Sequence, residues 1–93
     1  MKFTVVWKAK AEAQLAELWM TATDRTTIRE AASEIENALR SDPVSFGESR
    51  DAQTRVAVVA PLVVHFEVHE DDRRVTVLTL HSIPPSWHDR SKT

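Results

Sequence analysis

Three polar side chains, His65, Glu67 and His69, alternate along an apolar stretch in the second half of the chain. In an extended strand, residues two apart share a face and lie about 7 Å apart, because each residue advances the chain by about 3.3 Å. Two imidazoles at that spacing can chelate a metal ion, and His81 would add a third nitrogen from a neighbouring strand. The alternative is a solvated sheet face on which Glu67 joins a cross-strand charge pair. We expect the solvated face, without a metal or other cofactor, because such short motifs often arise by chance.

A second group of titratable side chains lies near the C-terminal end, where His81 and His88 flank Trp87 and Arg90 follows. An unperturbed imidazole titrates at a pKa of about 6.5 and can therefore act as a general acid or base near neutral pH. The alternative is that Trp87 packs over the sheet edge or the core and leaves His88 exposed. Both readings stay open on the sequence alone.

Two arginines, Arg50 and Arg55, stand where the chain enters its last strand-like runs. Exposed arginines are common and usually have acidic neighbours. The simplest expectation is therefore that Arg50 pairs with Glu48 or Asp51 and that Arg55 is an ordinary residue on a strand face. The alternative is that both arginines contact a ligand or partner.

Hydrophobic periodicity predicts the elements of the first half. Residues 3–7 alternate as in a strand, and apolar residues then recur at helical spacing from about 9 to 21 and again from about 28 to 39. Thr27 and Glu30 have the spacing of a capping box at the start of the second helix. Two helices joined by a short polar turn are predicted to form a hairpin.

Three strand-like runs make up the second half, at residues 54–59, 62–69 and 75–81. Their short connections predict an antiparallel meander. We therefore predict an α+β fold in which the helix hairpin covers one face of a four-stranded, mostly antiparallel sheet. The other face stays open, and function is to be sought there.

Composition limits the class of protein. With 93 residues, 42% of them hydrophobic, the chain is predicted to form a single domain spanning residues 1–93. Trp7 and Trp19 fall on the apolar stripes and are expected in its core. The absence of cysteine fits a reducing compartment, and no apolar run has the length of a signal sequence or membrane span. We expect a cytoplasmic protein.

The charge balance disfavours direct nucleic-acid binding. Twelve basic and fourteen acidic residues give a net charge of −2. Proteins that obtain their affinity by neutralising phosphates usually cluster an excess of Lys and Arg. Neither half of this chain has such an excess.

Motifs along nearly the whole chain resemble the RelE/ParE toxin superfamily. Gly47-Glu48-Ser49-Arg50 follows the second predicted helix, and Pro61-Leu62-Val63-Val64 opens the central strand. The resemblance is greatest to small type II toxin-antitoxin toxins and plasmid-stabilisation proteins. It implies an antitoxin partner encoded by an adjacent gene and a protein target such as gyrase or the ribosome, with no cofactor and no membrane, and it leaves a homodimer open. The residues expected to contact a partner are Arg50, Arg55, His65, Glu67, Trp87 and Arg90.

Some members of the superfamily are ribosome-dependent mRNA endonucleases. If this chain is similar to those endonucleases, the resemblance implies catalytic roles for His81, His88 and Arg55. It also implies that Arg50 and Arg55 face a concave surface. Endonucleases generally carry an arginine where this chain has Val63, and often a C-terminal tyrosine, whereas this chain has no tyrosine. Cleavage would then lack its main stabiliser of developing phosphorane charge. The first hypothesis is therefore a toxin-like binding protein or a descendant that has lost toxicity, and the alternative is the endonuclease.

Overall fold

The helices and strands follow the predicted order, with one addition. The computed structural model describes residues 2–83, which form five strands and two helices. In chain order they are β1 (Thr4–Trp7), α1 (Ala9–Thr21), α2 (Arg25–Ser41), β2 (Glu48–Ser49), β3 (Thr54–Val59), β4 (Leu62–His69) and β5 (Arg74–Ser82). Neither α1 nor α2, the helices of this described part, is long and apolar enough to cross a membrane.

The sheet has the order β1-β5-β4-β3-β2. The last four strands pair antiparallel, whereas β1 lies parallel to β5. The parallel pairing requires a long crossover, which here contains the helix hairpin. The predicted α+β class and meander are confirmed, but the sheet has five strands rather than four because the two-residue β2 pairs with β3 at the edge.

Gly47 allows β2 to approach β3. Its φ is +75°, and a Cβ at this position would overlap the carbonyl oxygen of Val56. Any other residue would both strain the backbone and collide with the neighbouring strand. The only glycine of the chain therefore lies at a point of close backbone contact.

Helix α2 begins earlier than the sequence predicted. Its N-cap is Asp24, whose Oδ1 accepts a hydrogen bond from the Thr27 backbone N–H at 3.2 Å and whose Oδ2 accepts one from the Thr27 hydroxyl at 2.6 Å. These hydrogen bonds favour the ionised carboxylate and lower the pKa of Asp24. The prediction of a capping box at Thr27 and Glu30 is wrong, because Asp24 already supplies the oxygen that the first turn needs.

The core lies between the helices and one face of the sheet, here called the inner face. The alternating apolar residues of β4 are buried there, as predicted, and they are Leu62, Val64, Phe66 and Val68. Trp7 is partly buried against this core. The prediction that Trp19 is a core residue is wrong: it is 38% exposed, and the Arg25 guanidinium lies 4.7 Å from its ring centroid.

An irregularity in β5 decides which of its side chains reach the opposite face. His65 pairs with Thr79 and the next residue, Phe66, pairs with Val77, so Leu78 is an extra residue in β5. This bulge reverses the alternation, and His81 faces away from the helices instead of toward them. Strand β1 pairs only with residues 74–77 of β5, and farther along β5 a side chain of α1 takes its place: the backbone N–H of Leu80 donates to Gln14 Oε1 at 2.8 Å.

Candidate functional site

The sheet face turned away from the helices, here called the outer face, carries most of the described candidate residues. Cross-strand pairing aligns Val56, His65 and Thr79 in one row and Val58, Val63 and His81 in the next. Val56 and Val63 are buried although they do not belong to the core between sheet and helices. Val58 is 56% exposed. This part of the outer face therefore combines two buried valines, the exposed Val58 and two histidines.

His65 and His81 form a pair across β4 and β5. Their ring centroids are 5.7 Å apart, and the ring planes are inclined by 30°. His65 is partly buried, and its Nδ1 lies 3.2 Å from the Thr79 hydroxyl, whereas His81 is exposed. The expectation that His81 lies on the strand beside His65 is met.

The surroundings of His65 favour its neutral form. Burial lowers its pKa below the ordinary value, and the nearby positive charges of His81 and Arg50 lower it further. The imidazole is therefore uncharged in the folded protein at neutral pH. Both effects require that β2, β4 and β5 are assembled.

Arg50 follows β2 and contributes a permanent charge near this pair. Its backbone N–H donates to the Thr54 carbonyl at 2.8 Å. Within residues 2–83 its guanidinium makes no salt bridge, so the expected pairing with Glu48 or Asp51 does not form there. The Asp51 carboxylate instead accepts from the backbone N–H groups of Gln53 and Thr54 at 3.2 and 3.0 Å, which lowers its pKa. The carboxylate of Asp51, which was expected to pair with Arg50, is therefore bound by the backbone of its own turn.

The alternating set His65, Glu67 and His69 does not act as one group. Glu67 Oε1 lies 3.3 Å from His69 Nε2, whereas His65 contacts Thr79 and His81. In the part of the chain that the structure describes, no three His, Cys, Asp or Glu side chains are arranged to hold a metal ion. The cross-strand charge pair expected for Glu67 is replaced by this pair within one strand.

Arg55 lies on the inner face, away from the histidine pair. It pairs with Phe66 across β3 and β4, and its Nε and Nη2 donate to the carbonyls of Phe46 and Gly47 at 3.0 and 2.8 Å. The structure therefore does not bring Arg55 together with His81, and the strand alternation explains why. The remaining candidates, Trp87, His88 and Arg90, lie outside the described residues.

A second candidate surface lies on the helix hairpin. An apolar groove of about 760 Å³ runs between α1 and α2, and we call it the helix groove. Its apolar lining consists of Trp7, Leu15, Ala16, Trp19, Met20, Ile28 and Ala32, and the polar residues Glu12, Arg29, Ser33 and Glu36 complete it. Sequence reasoning missed this surface. The available signal was the adjacent pair Trp19 and Met20, because neighbouring residues of a helix cannot both face one core.

Comparisons with known proteins define the class of fold. No protein-family profile matches the sequence, and no curated protein matches it. The fold, a mixed sheet with a helix hairpin on one face, is similar to the folds of several solved structures. The RelBE2 toxin-antitoxin complex from Mycobacterium tuberculosis is similar with a TM-score of 0.74 at 15% identity, over 88% of this chain and 92% of that one.

Two further solved structures agree with this assignment. The archaeal RelE-RelB complex from Pyrococcus horikoshii gives a TM-score of 0.68 at 17% identity, over 91% of this chain and 99% of that one. The chromosomal ParDE system from Pseudomonas aeruginosa gives 0.65 at 14% identity, over 88% and 97%. The chain has the RelE/ParE toxin fold, as its motifs predicted.

Proposed function

We propose that this protein is the toxin-like subunit of a type II toxin-antitoxin pair and that an antitoxin segment binds along the helix groove. The observation that carries the proposal is the exposed apolar lining of this groove on a RelE/ParE fold. Met20 is 69% exposed and Trp19 is 38% exposed. A similar structure from M. tuberculosis is a toxin-antitoxin complex.

The groove has the chemistry of a helix-binding surface. Amphipathic helices insert apolar side chains into such grooves, and buried aromatic residues often supply much of the binding energy. Each Å² of apolar surface removed from water contributes about 25 cal/mol. Trp19 and Met20 are therefore the expected anchors, and Glu12 and Arg29 would orient the segment by charge.

The proposed target is a protein, such as gyrase or a ribosomal component, or the chain descends from a toxin that has lost its target. The net charge of −2 supports a protein partner over direct binding to RNA. The lack of cysteine supports action in the cytoplasm.

Co-expression with the product of the adjacent gene tests the antitoxin role. Ala16→Arg places a large charged side chain in the helix groove, and we expect affinity to fall about tenfold or more, which corresponds to ~1.4 kcal/mol. The matched control is Ala13→Arg, since Ala13 is exposed on the same helix but does not line the groove. The proposal fails if both chains are folded and form no complex. Equal effects of the two variants would place the antitoxin elsewhere.

The alternative function is a ribosome-dependent mRNA endonuclease, and the histidine pair on the open sheet face favours it. Against it, Val63 occupies the position at which endonucleases carry a basic residue, and Arg55 holds a loop on the inner face. We therefore expect no cleavage of mRNA on translating ribosomes. Codon-phased cuts that disappear in His81→Ala would establish the endonuclease instead.

A further inference from the structure

We infer that Arg50, His65 and His81 together bind a carboxylate of an acidic peptide on the outer face, and that protonation of the histidine pair strengthens this binding. The site lies on the opposite side of the sheet from the helices that form the helix groove. The inference therefore does not depend on the proposed antitoxin role.

Hydrogen-bond donors from β4, from β5 and from the end of β2 lie near one another on the outer face. The imidazoles of His65 on β4 and His81 on β5 have their ring centroids 5.7 Å apart, and Arg50, which follows β2, is close enough for its charge to act on His65. When the Thr79 hydroxyl donates to His65 Nδ1 at 3.2 Å, the Nε2 of that ring carries the proton and is the donor that a ligand can use. Hydrogen bonds from these donors to a carboxylate are charge-assisted and therefore stronger than hydrogen bonds between neutral groups.

The charges around the cluster indicate the charge of the ligand. Among residues 2–83, Arg50 has no salt-bridge partner, and Glu48 is exposed in the same cross-strand row as His65, opposite Val56. At neutral pH the cluster thus offers one permanent positive charge, that of Arg50, beside the two carboxylates of Glu48 and Glu67, so a bound carboxylate depends on protonated imidazoles for further positive charge. A nucleic-acid backbone needs several cations along its path, whereas a single carboxylate matches one arginine.

An exposed apolar side chain, that of Val58, lies beside the cluster. Val58 is 56% exposed and pairs with the buried Val63, which in turn pairs with His81. An aliphatic side chain or the methylene groups of a glutamate can cover Val58, whereas a phosphate cannot. A ligand that offers both an acidic and an aliphatic side chain is a peptide rather than a free ion.

Proton linkage follows from the groups that face His65. They are Arg50 and Glu48 from β2 and its end, the uncharged Val56 from β3, His81 from β5, and Glu67 on its own strand. Repulsion from His81 and Arg50 disfavours the imidazolium, and a bound carboxylate offsets that repulsion. Binding therefore takes up a proton and becomes tighter on acidification. A glutamate ligand stays ionised at about pH 5.5, because its pKa is about 4.3.

The test uses the full chain with terminally blocked hexaglutamate, and with hexaglutamine as the neutral control. Imidazole NMR signals and affinity are measured at about pH 7.5 and 5.5, on either side of the ordinary imidazole pKa. Hexaglutamate should shift the signals of His65 and His81, and it should bind about fivefold or more tightly at the lower pH, as expected when a charge is added at the site. Hexaglutamine should do neither.

Variants separate the site from general electrostatics. Arg50→Gln and His81→Gln should each weaken hexaglutamate binding about fivefold or more, and His81→Gln should reduce its pH dependence. The matched control is Arg74→Gln, because Arg74 lies at the other end of the outer face, opposite His69. Melting curves verify that each variant is folded.

Three results would overturn the inference. Hexaglutamate that leaves both imidazole signals unchanged would exclude the site. An equal loss of hexaglutamate affinity with Arg74→Gln would show that binding depends on the overall charge of the protein and not on this site. Tighter binding of single-stranded hexauridylate, with steep salt dependence, would assign the cluster to nucleic acid instead. None of these results bears on binding in the helix groove.

Discussion

At the scale of single residues, protonation of His65 is coupled to folding. The imidazole is partly buried, and the positive charges of His81 and Arg50 act on it, so its pKa is lowered only in the folded chain. The unfolded chain therefore binds more protons in the range between that lowered pKa and about 6.5. The free energy of unfolding consequently rises with pH through this window. When the pH falls through the lowered pKa, the contribution of neutral His65 to stability is lost.

His65→Gln should reduce the acid sensitivity of the protein. We expect the wild type to lose more unfolding free energy than this variant when the pH falls from about 7.5 to 5.5, on either side of the ordinary pKa. His81→Gln should behave between the two, because burial and Arg50 still act on His65. Urea denaturation at both pH values measures the difference. Identical pH dependence of wild type and His65→Gln would contradict the assignment.

The other histidine of the outer face should be dispensable for stability. His69 contacts Glu67 at 3.3 Å with both side chains partly exposed, and such pairs contribute little. His69→Ala should change the free energy of unfolding by about 0.5 kcal/mol or less. Protein purified without chelator should contain no stoichiometric zinc. Near one equivalent of zinc by elemental analysis, with a melting temperature lowered by chelator, would show a metal site.

At the scale of elements, the segment from α2 to β3 sets the shape of the sheet edge. Gly47 turns the chain at φ +75° so that Glu48 and Ser49 can pair with β3. Arg55 then holds the carbonyls of Phe46 and Gly47 from the inner face. The two features together position Arg50 at the end of β2, beside the histidine pair.

Arg55→Gln should act as a stability variant rather than a binding variant. It removes two hydrogen bonds from a charged donor, and such a loss typically costs about 1–3 kcal/mol. The matched control is Arg40→Gln, which removes only an exposed salt bridge to Glu36 and should change stability by about 0.5 kcal/mol or less. Chemical denaturation distinguishes the two. Similar small effects would mean that the Arg55 hydrogen bonds are not important for folding.

Gly47→Ala should destabilise the same edge. The added Cβ would overlap the Val56 carbonyl oxygen, and alanine would also adopt a positive φ. We expect a loss of about 1–3 kcal/mol. Ser45→Ala, an exposed change two residues earlier, should be neutral within about 0.5 kcal/mol. A melting temperature for Gly47→Ala equal to that of the wild type would show that β2 tolerates another conformation.

At the scale of the whole molecule, the two candidate surfaces lie on opposite sides of the sheet. The helix groove is formed by α1 and α2, which cover the inner face, whereas Arg50 and the histidine pair serve the outer face. Distant sites that share no contacts usually behave additively. We therefore expect one chain to be able to hold two partner segments at once.

Ala16→Arg should leave the response of the outer face to hexaglutamate unchanged, and Arg50→Gln should leave binding in the helix groove unchanged. The double variant should show the sum of the two losses within about 0.5 kcal/mol. Parallel titrations with each ligand measure this. A clear departure from additivity would indicate that the two surfaces are coupled through the sheet.

Local patterns in the sequence determined the elements and their buried sides. Alternation in residues 62–69 specified the inner side of β4, and helical spacing in residues 28–39 specified the buried stripe of α2. Both are properties of a single segment, because side-chain direction follows from the period of the backbone. The α+β class followed from the order of these segments.

Only the tertiary structure decided how the segments register. The bulge at Leu78 turns His81 to the same face as His65, and the edge pairing of β2 positions Arg50 beside them. The alternation of β3 directs Arg55 to the inner face, and the packing of α1 leaves Trp19 exposed. Register and contact partners depend on residues distant in sequence, and a shift of one position exchanges the two faces of a strand. The period of one segment therefore cannot reveal which functional side chains meet.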